Sequence, residues 1–235
     1  RAFVEEILGC DLSASIGIPD KNKAERQITE FLSTLKHLPT ADLQRMIDLQ
    51  WVVLAAGIGT RIDPSSQLNK NLDIWIGASN ILQLSRRHLP GTQPHIVVIN
   101  PQTAARLSQL SQTEIDLWLG KNVIMCIQPE PNGTGGALRA ALTEIEDSTS
   151  EFVGVTFGDE PFLNQAMFIQ TLVSHFMAQA DVTLGAKIPE VVEDKGGIFF
   201  DTDGKFCGTT EWYDMTQAEQ SYMQENLKHG KAYTN

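Results

Sequence analysis

Short apolar runs alternate with polar stretches along most of the chain, and this pattern predicts strands buried beneath helices. Four mainly apolar runs have the length and the valine and isoleucine content of fully buried strands: residues 51–54, 95–100, 123–128 and 152–157. A fifth strand is predicted at Asp181–Lys187. Helical spacing of apolar residues predicts helices at 81–88, 103–110, 137–145 and 165–178. This alternation predicts an α/β fold of three layers, α/β/α and Rossmann-like, with a mixed, mostly parallel sheet.

The two ends of the chain have different patterns. Residues 1–49 favour helices, and Pro39-Thr40 separates two of them. We interpret 1–49 as a helical N-terminal extension and 50–235 as one domain. The extension is either a regulatory, partner-binding segment or a helical appendage packed on the domain. Residues 198–211 predict a β-hairpin with Asp203-Gly204 at its turn.

Composition limits the classes of partner. The 235 residues carry 29 acidic and 18 basic side chains, a net charge of -11, without a long basic run, which argues against nucleic acid or an anionic membrane. No apolar stretch has membrane-spanning length. Three scattered cysteines and five scattered histidines lack metal-ligand spacing, which favours a reducing, cytoplasmic setting. The sequence leaves oligomerisation open.

The segment after the first strand carries the strongest chemical signal. It runs Leu54-Ala55-Ala56-Gly57-Ile-Gly59-Thr60-Arg61, and Lys70 follows nine residues after the arginine. Glycines let the chain turn its N–H groups toward an anion, small alanines leave room for a flat ring, and two cations suit a polyphosphate. The string lacks the lysine and hydroxyl residue of a Walker loop and the third glycine of the dinucleotide fingerprint.

Two further sites follow later strands. Gln128, with Gly133 and Thr134 at the start of a helix, offers an amide and close backbone for a nucleobase edge. Asp159 follows the fourth strand in Gly158-Asp159-Glu-Pro161, where a carboxylate oxygen suits a hard cation. A simple turn and helix start, or a capping aspartate before a proline, remain the structural alternatives.

With these motifs, residues 50–212 resemble the sugar-1-phosphate nucleotidylyltransferases, nearest to the N-acetylglucosamine-1-phosphate uridylyltransferase type. The resemblance implies a nucleotidyltransferase domain of the GT-A type, with UTP and a sugar 1-phosphate as substrates and Mg²⁺ as cofactor. Arg61 and Lys70 would be catalytic and Asp159 would bind the metal. Nucleotide binding would fall to Leu54, Ala55, Ala56, Gly57, Gly59, Thr60, Gln128, Gly133 and Thr134.

The resemblance extends to a sugar site. Gly197 and Glu211 have the interval of a family glycine and glutamate that contact the sugar, and Asn235 corresponds more weakly to an asparagine of that pocket. The chain departs from the family at Asn69, where a proline is usual, and at Trp212 after the glutamate. These departures bear on the identity of the sugar more than on the nucleotide chemistry.

Two other functions stay open from the sequence. One is a non-catalytic nucleotide-sugar-binding protein on the same fold. The other is a glycosyltransferase that uses Asp201-x-Asp203 as a metal motif, although the Asp-Gly turn explains both aspartates more simply. We also expect the domain to continue beyond Asn235, where the resemblance implies a second acidic metal ligand.

Overall fold

Two compact units make up the chain, residues 1–178 and 179–235. The computed structural model describes residues 33, 35–57, 69–146, 148–186, 191, 196–201, 203, 205–228 and 233–234. The division at residue 179 does not test the predicted boundary at residue 50, which stays a prediction.

Strands and helices alternate through the first unit. Its elements are α1 (Thr40–Ile47), β1 (Gln50–Leu54), α2 (Lys70–Asp73), β2 (Trp75–Ile76), β3 (Ser79–Asn80), α3 (Ile81–Arg86), β4 (His95–Ile99), α4 (Pro101–Leu107), α5 (Gln112–Leu119), β5 (Val123–Ile127), α6 (Gly133–Ala140), α7 (Leu142–Glu146), β6 (Val153–Phe157) and α8 (Gln165–Ala178).

The central sheet has the strand order β5-β4-β1-β6, and all three pairings are parallel. These are the four strands that the apolar runs predicted. Every residue of β1 is buried, as expected of a strand covered on both faces. The short strands β2 and β3 form a separate antiparallel pair.

Successive residues of β1 point to opposite faces of the sheet and enter two hydrophobic clusters. Trp51, Val53 and Ala55 pack with side chains of α1 to α5 and α8. Val52, Leu54 and Ala56 pack with α6 and α7 on the other face. Helices therefore cover both faces, and the three-layer α/β/α prediction is confirmed.

The part of the N-terminal extension within the described residues packs into this core. Leu35, Leu38, Met46 and Leu49 are buried in the same cluster as Trp51. The second predicted helix is present as α1, with Thr40 as its first residue and Pro39 as N-cap. These contacts favour a packed appendage over a detached binding segment for residues 35–49. Most of the first predicted helix lies outside the described residues.

The second unit contains β7 (Gly197–Phe200), β8 (Phe206–Thr210), a 3₁₀ helix (Trp212–Asp214), α9 (Gln217–Lys228) and β9 (Tyr233–Thr234). β7 and β8 form the predicted antiparallel hairpin, and β9 pairs with the other edge of β7. Met215 and Met223 form the buried centre of this unit, with Phe199, Trp212 and Leu227 packed against them.

Two sequence predictions were incomplete or wrong. The predicted strand at Asp181–Lys187 is absent, since residues 182–186 have no regular secondary structure and Val182 and Leu184 are exposed. Helix α5 was not predicted. Its signal is a capping box, in which Ser111 accepts from the backbone N–H of Glu114 and Glu114 accepts from that of Ser111. None of the described helices is both long and apolar enough to cross a bilayer.

Candidate functional site

The predicted nucleotide and metal residues that the structure describes in the first unit converge on one edge of the central sheet. Because β1, β4, β5 and β6 are parallel, their carboxyl ends meet there. Gly57, Asn100, Gln128 and Asp159 each follow one of these strands within three residues. Ligands of open α/β sheets commonly bind at this edge. Gly59, Thr60 and Arg61 lie outside the described residues.

The first part of the glycine turn is held by hydrogen bonds from both sides. The N–H of Ala55 donates to the carbonyl of Val98 at 2.8 Å, and that of Gly158 donates to the carbonyl of Leu54 at 2.9 Å. Ala55 and Ala56 are buried, whereas Gly57 is exposed, and no atom of the described residues lies within 4 Å of where its Cβ would stand. The turn therefore presents backbone at Gly57 to an incoming ligand.

Two asparagines that the sequence analysis did not assign clamp this turn. The side-chain amide of Asn69 donates to the carbonyl of Ala55 at 3.2 Å and to Oγ1 of Thr103 at 3.0 Å. The amide of Asn100 donates to the carbonyl of Ala56, also at 3.2 Å. The signal for Asn100 was its position between a strand and Pro101, where it caps α4.

The departure from the family proline at position 69 has a structural role. Oδ1 of Asn69 caps α2 by accepting from the N–H of Asn71, and its own N–H donates to Oδ2 of Asp73 at 2.7 Å. A proline has no N–H and could not make the second bond. Asp73 also accepts two hydrogen bonds from Arg106, whose guanidinium stacks 4.6 Å from the ring centre of Trp118. This network fixes the short helix that begins at Lys70.

Lys70 and Asp159 form an ion pair between Nζ and Oδ2, although 89 residues separate them in sequence. Their side chains are 33% and 37% exposed. A pair this accessible is worth only about 0–1 kcal/mol, so a phosphate oxygen can replace Asp159 as the partner of Lys70 at little cost. The structure thus brings together the predicted polyphosphate cation and the predicted metal carboxylate.

The backbone before Asp159 is tightly enclosed. A Cβ at Gly158 would lie 3.0 Å from Cβ of Ala55 and 3.1 Å from Cδ1 of Leu82. The carbonyl of Gly158 accepts from Oγ of Ser85 at 3.0 Å. Asn71, buried to 2% exposure, approaches the same spot and leaves its Oδ1 without a partner. These contacts hold Asp159 at the sheet edge.

Gln128 is buried and holds the loop that leads into α6. Its amide nitrogen donates to Oδ1 of Asn132 at 2.8 Å and to the carbonyl of Gly133 at 3.1 Å. No described residue donates to its Oε1, which leaves that oxygen as an acceptor. Gly133 begins α6 with a φ of +85°, a conformation that favours glycine. Thr134 lies in the first turn of the same helix and is exposed.

One carboxylate fits a magnesium ion that takes its remaining ligands from a substrate. Mg²⁺ is usually held by one or two carboxylates together with phosphate oxygens and waters. Asp159 offers an accessible carboxylate beside the glycine turn, so its chemistry suits this mode. Within the part of the chain that the structure describes, no cluster of three or more His, Cys, Asp or Glu residues could hold a metal alone.

Two of the predicted sugar residues, Gly197 and Glu211, lie in the second unit, at one end of its hairpin. Gly197 pairs with Thr210, which places Glu211 immediately beyond the pair. A Cβ at Gly197 would lie 2.7 Å from Cε of Met215, so Gly197 packs closely against the methionine side chains of this unit. Glu211 is exposed, and Asn235 lies outside the described residues.

Asp201 has a structural task in the turn of that hairpin. Its Oδ1 accepts from the backbone N–H groups of Asp203 and Lys205, at 2.9 and 2.8 Å. The two aspartates are therefore explained by the turn, which weakens the glycosyltransferase hypothesis.

A parallel sheet with a glycine turn, a lysine and a carboxylate at its carboxyl edge defines a nucleotide-binding α/β protein. The family described as the MobA-like NTP transferase domain matches residues 51–190, more than half of the chain. The chain belongs to this family. The family resemblance that the sequence motifs indicated is thereby confirmed.

Curated relatives agree with this assignment. The bifunctional protein GlmU of Mycolicibacterium gilvum is 31% identical over 182 residues, which cover 77% of this chain and 36% of that protein. The GlmU of Corynebacterium efficiens is 30% identical over 176 residues, covering 74% and 35%. The chain thus spans about a third of the length of these relatives.

A solved structure of UDP-glucose pyrophosphorylase from Acinetobacter baumanii is also similar. The likeness has 19% sequence identity and a TM-score of 0.47, over 69% of this chain and 67% of that one. A likeness at this level carries no argument about substrate.

Proposed function

We propose that this protein transfers a uridylyl group from UTP to a sugar 1-phosphate, giving a UDP-sugar and pyrophosphate. The observation that carries the proposal is the Lys70–Asp159 pair at the sheet edge where the glycine turn begins. A triphosphate needs a cation beside it, and its metal needs a carboxylate. Lys70 and Asp159 are in contact at the edge of the sheet where the backbone of Gly57 is exposed.

In this reaction an oxygen of the sugar phosphate attacks the α-phosphorus in line. The bond from that phosphorus to the oxygen bridging to the β-phosphate breaks, and pyrophosphate leaves with the electron pair. Lys70 and Arg61 neutralise the triphosphate, and Asp159 would hold magnesium. Magnesium, when bound, supplies positive charge that stabilises the oxygens of the departing pyrophosphate. No covalent intermediate is needed, so catalysis rests on positioning and charge.

The base preference is assigned to uracil through Gln128 and Gly133. Both hydrogens of the Gln128 amide are donated inside its loop, so Oε1 is the group that can accept from the N3–H of uracil. Gly133 begins a helix whose first N–H groups lack intrahelical acceptors and can donate to a base carbonyl. Leu54, Ala55 and Ala56 form the backbone beside the base and ribose.

Sugar contacts are assigned to Gly197, Glu211 and Asn235, following the family resemblance. Glu211 is an exposed carboxylate that can accept from sugar hydroxyls. N-acetylglucosamine 1-phosphate is the first sugar phosphate to test.

The test is a pyrophosphate-release assay with UTP, ATP and GTP, each combined with a panel of sugar 1-phosphates, in magnesium and in EDTA. We expect release with UTP and one or a few sugar phosphates, and none in EDTA. Preference for a purine triphosphate would overturn the uracil assignment and leave nucleotidyl transfer standing.

Calorimetry with UTP and UDP-sugars addresses the rival hypothesis. A non-catalytic nucleotide-sugar-binding protein would bind these ligands and release no pyrophosphate with any sugar phosphate. That combination would overturn the catalytic proposal.

A further inference from the structure

A concave site lies at the amino ends of β4 and β5, the edge of the sheet opposite to Gly57 and Asp159. It is a cavity of about 320 Å³. Its walls are the end of α3 with Arg86 and Arg87, the turn at Gly91–Gln93, His95 at the start of β4, and residues 120–122 before β5. A cavity of this size is at the lower end of the range for small-molecule sites, about 300–1,000 Å³.

The charge of this cavity is opposite to that of the protein. The chain has a net charge of -11. The cavity lining nevertheless contains Arg86, Arg87 and Lys121, and none of its described lining residues is acidic. A group of cations with no acidic residue in its described lining forms a local attractive field for an anion.

Arg86 forms the floor and is 7% exposed. Its Nε donates to Nδ1 of His95 at 3.2 Å, and Nη1 donates to the carbonyl of Leu119. Nη2 donates to the carbonyls of Lys121 and Asn122, at 3.2 and 3.3 Å. Burial lowers the pKa of Arg86 to about 10, so the guanidinium is still charged at neutral pH.

No carboxylate among the described residues pairs with Arg86 within 4.0 Å. Among the described residues, backbone carbonyls and the His95 ring accept the hydrogen bonds of this buried charge. Most of its N–H groups are already used, so Arg86 contributes fixed positive potential to the cavity more than new hydrogen bonds.

His95 and the two cations at the mouth supply the donors. Burial, with the charge of Arg86, lowers the pKa of His95 to about 4, so the ring is neutral at pH 7. Because its Nδ1 accepts from Arg86, the neutral ring carries its proton on Nε2 and presents a donor there. Arg87 and Lys121 are exposed at the rim, where long side chains can turn toward a ligand.

We propose that this cavity binds the phosphoryl group of a small phosphate monoester, at a site separate from the nucleotide edge. A phosphate monoester is largely a dianion at pH 7.5, since its second pKa is about 6. Three lining cations match a dianion better than a monocarboxylate, and guanidinium forks match phosphate geometry. The proposal is independent of nucleotidyl transfer.

The test is an NMR titration of the full chain labelled with ¹⁵N-glycine, with inorganic phosphate and glycerol 3-phosphate as probes at constant ionic strength. The chain has 18 glycines, so the spectrum is simple to assign. Gly91 and Gly120 line the cavity, whereas Gly158 reports on the nucleotide edge. Lys70→Met is used alongside the wild type to remove phosphate binding at the nucleotide edge, and acetate serves as the monocarboxylate comparison.

We expect saturable shifts of Gly91 and Gly120 with both phosphates, retained in Lys70→Met and much weaker with acetate. The double variant Arg87→Gln/Lys121→Gln should weaken phosphate binding by about tenfold, because two rim contacts are lost. The matched control, Lys205→Gln/Lys228→Gln, removes two exposed cations of the second unit and should leave the affinity unchanged. Shifts confined to Gly158, shifts that do not saturate, or equal losses in both double variants would each overturn the proposal.

Discussion

Single residues at the sheet edge divide into those that build the turn and those left open to a ligand. Asn69, Asn100 and Ser85 donate side-chain hydrogen bonds to backbone carbonyls of Ala55, Ala56 and Gly158. Gly57 and the Lys70–Asp159 pair are accessible. The ligand-facing groups carry motif signals and could be predicted from the sequence. The clamping residues could not, because a buried asparagine acts through partners that only the fold brings near.

Gly158 and Gly57 allow a matched comparison between a packed and an open glycine. Gly158→Ala places a Cβ about 3 Å from Ala55 and Leu82, so we expect the free energy of unfolding to fall by about 1–3 kcal/mol. Gly57→Ala places its Cβ more than 4 Å from every described residue other than its chain neighbours and should change the free energy of unfolding by less than about 0.5 kcal/mol. Urea unfolding of both variants measures this difference.

The same two variants separate stability from ligand approach. A methyl group at Gly57 stands where phosphate must come close to the backbone, so turnover should fall on the order of tenfold or more. If Gly57→Ala keeps full turnover, the phosphates do not approach the backbone there. If it loses several kcal/mol of stability, the space around Gly57 is not open.

At the scale of elements, the sequence predicted the strands correctly where an apolar pattern coincides with burial in the folded protein. The four strands of the sheet are apolar runs covered on both faces, and each lies within a residue or so of its prediction. The hairpin of β7 and β8 is present, as the Asp-Gly pair in the sequence predicted. Asp181–Lys187 has a similar pattern, but Val182 and Leu184 are exposed, so no packing surface converts the pattern into a described strand. A strand at this position would need a neighbouring strand and a packing surface, and the sequence pattern alone does not show whether they exist.

The contact between Arg86 at the end of α3 and His95 at the start of β4 should make the free energy of unfolding depend on pH. His95 has an ordinary pKa of 6.5, lowered to about 4 in the folded protein by burial and by Arg86. Above pH 6.5 the ring is neutral in both the folded and the unfolded chain, so its contribution to the free energy of unfolding is fully present. As pH falls from 6.5 toward 4, the unfolded chain takes up a proton that the folded protein does not, so stability is lost.

Urea unfolding between pH 7.5 and 5 in phosphate-free buffers measures this contribution. Wild type should lose about 2 kcal/mol more than His95→Gln over this range, since the pKa shift amounts to about 1.4 kcal/mol per unit. Glutamine retains an acceptor for Arg86 and does not titrate. Parallel losses in the two proteins would show that His95 is not held neutral at this contact.

At the scale of the molecule, the first unit carries two groups of charged residues with candidate ligand-binding roles, at opposite edges of one sheet. The carboxyl edge holds Lys70 and Asp159 beside the glycine turn, and the amino edge holds the cavity around Arg86. Motifs predicted the first edge, because its chemistry is concentrated in short strings of sequence. The second edge was not predicted, because Arg86, His95 and Lys121 come from three separated segments without a motif.

The family assignment covers residues 51–190, and the relatives are about three times as long as the matched part. The proposed nucleotidyl transfer requires Lys70 to neutralise negative charge on the triphosphate.

The most direct measurement is the turnover number for pyrophosphate release by Lys70→Met beside Lys228→Met, with UTP, magnesium and the preferred sugar 1-phosphate. Both lysines are paired with a carboxylate in the structure, so each substitution removes one exposed ion pair. We expect both variants to fold and Lys228→Met to keep wild-type turnover. Lys70→Met should lose on the order of a hundredfold or more, as when a single charge-stabilising group is removed from a transition state. Wild-type turnover by a folded Lys70→Met would contradict the assignment of nucleotidyl transfer to this edge of the sheet.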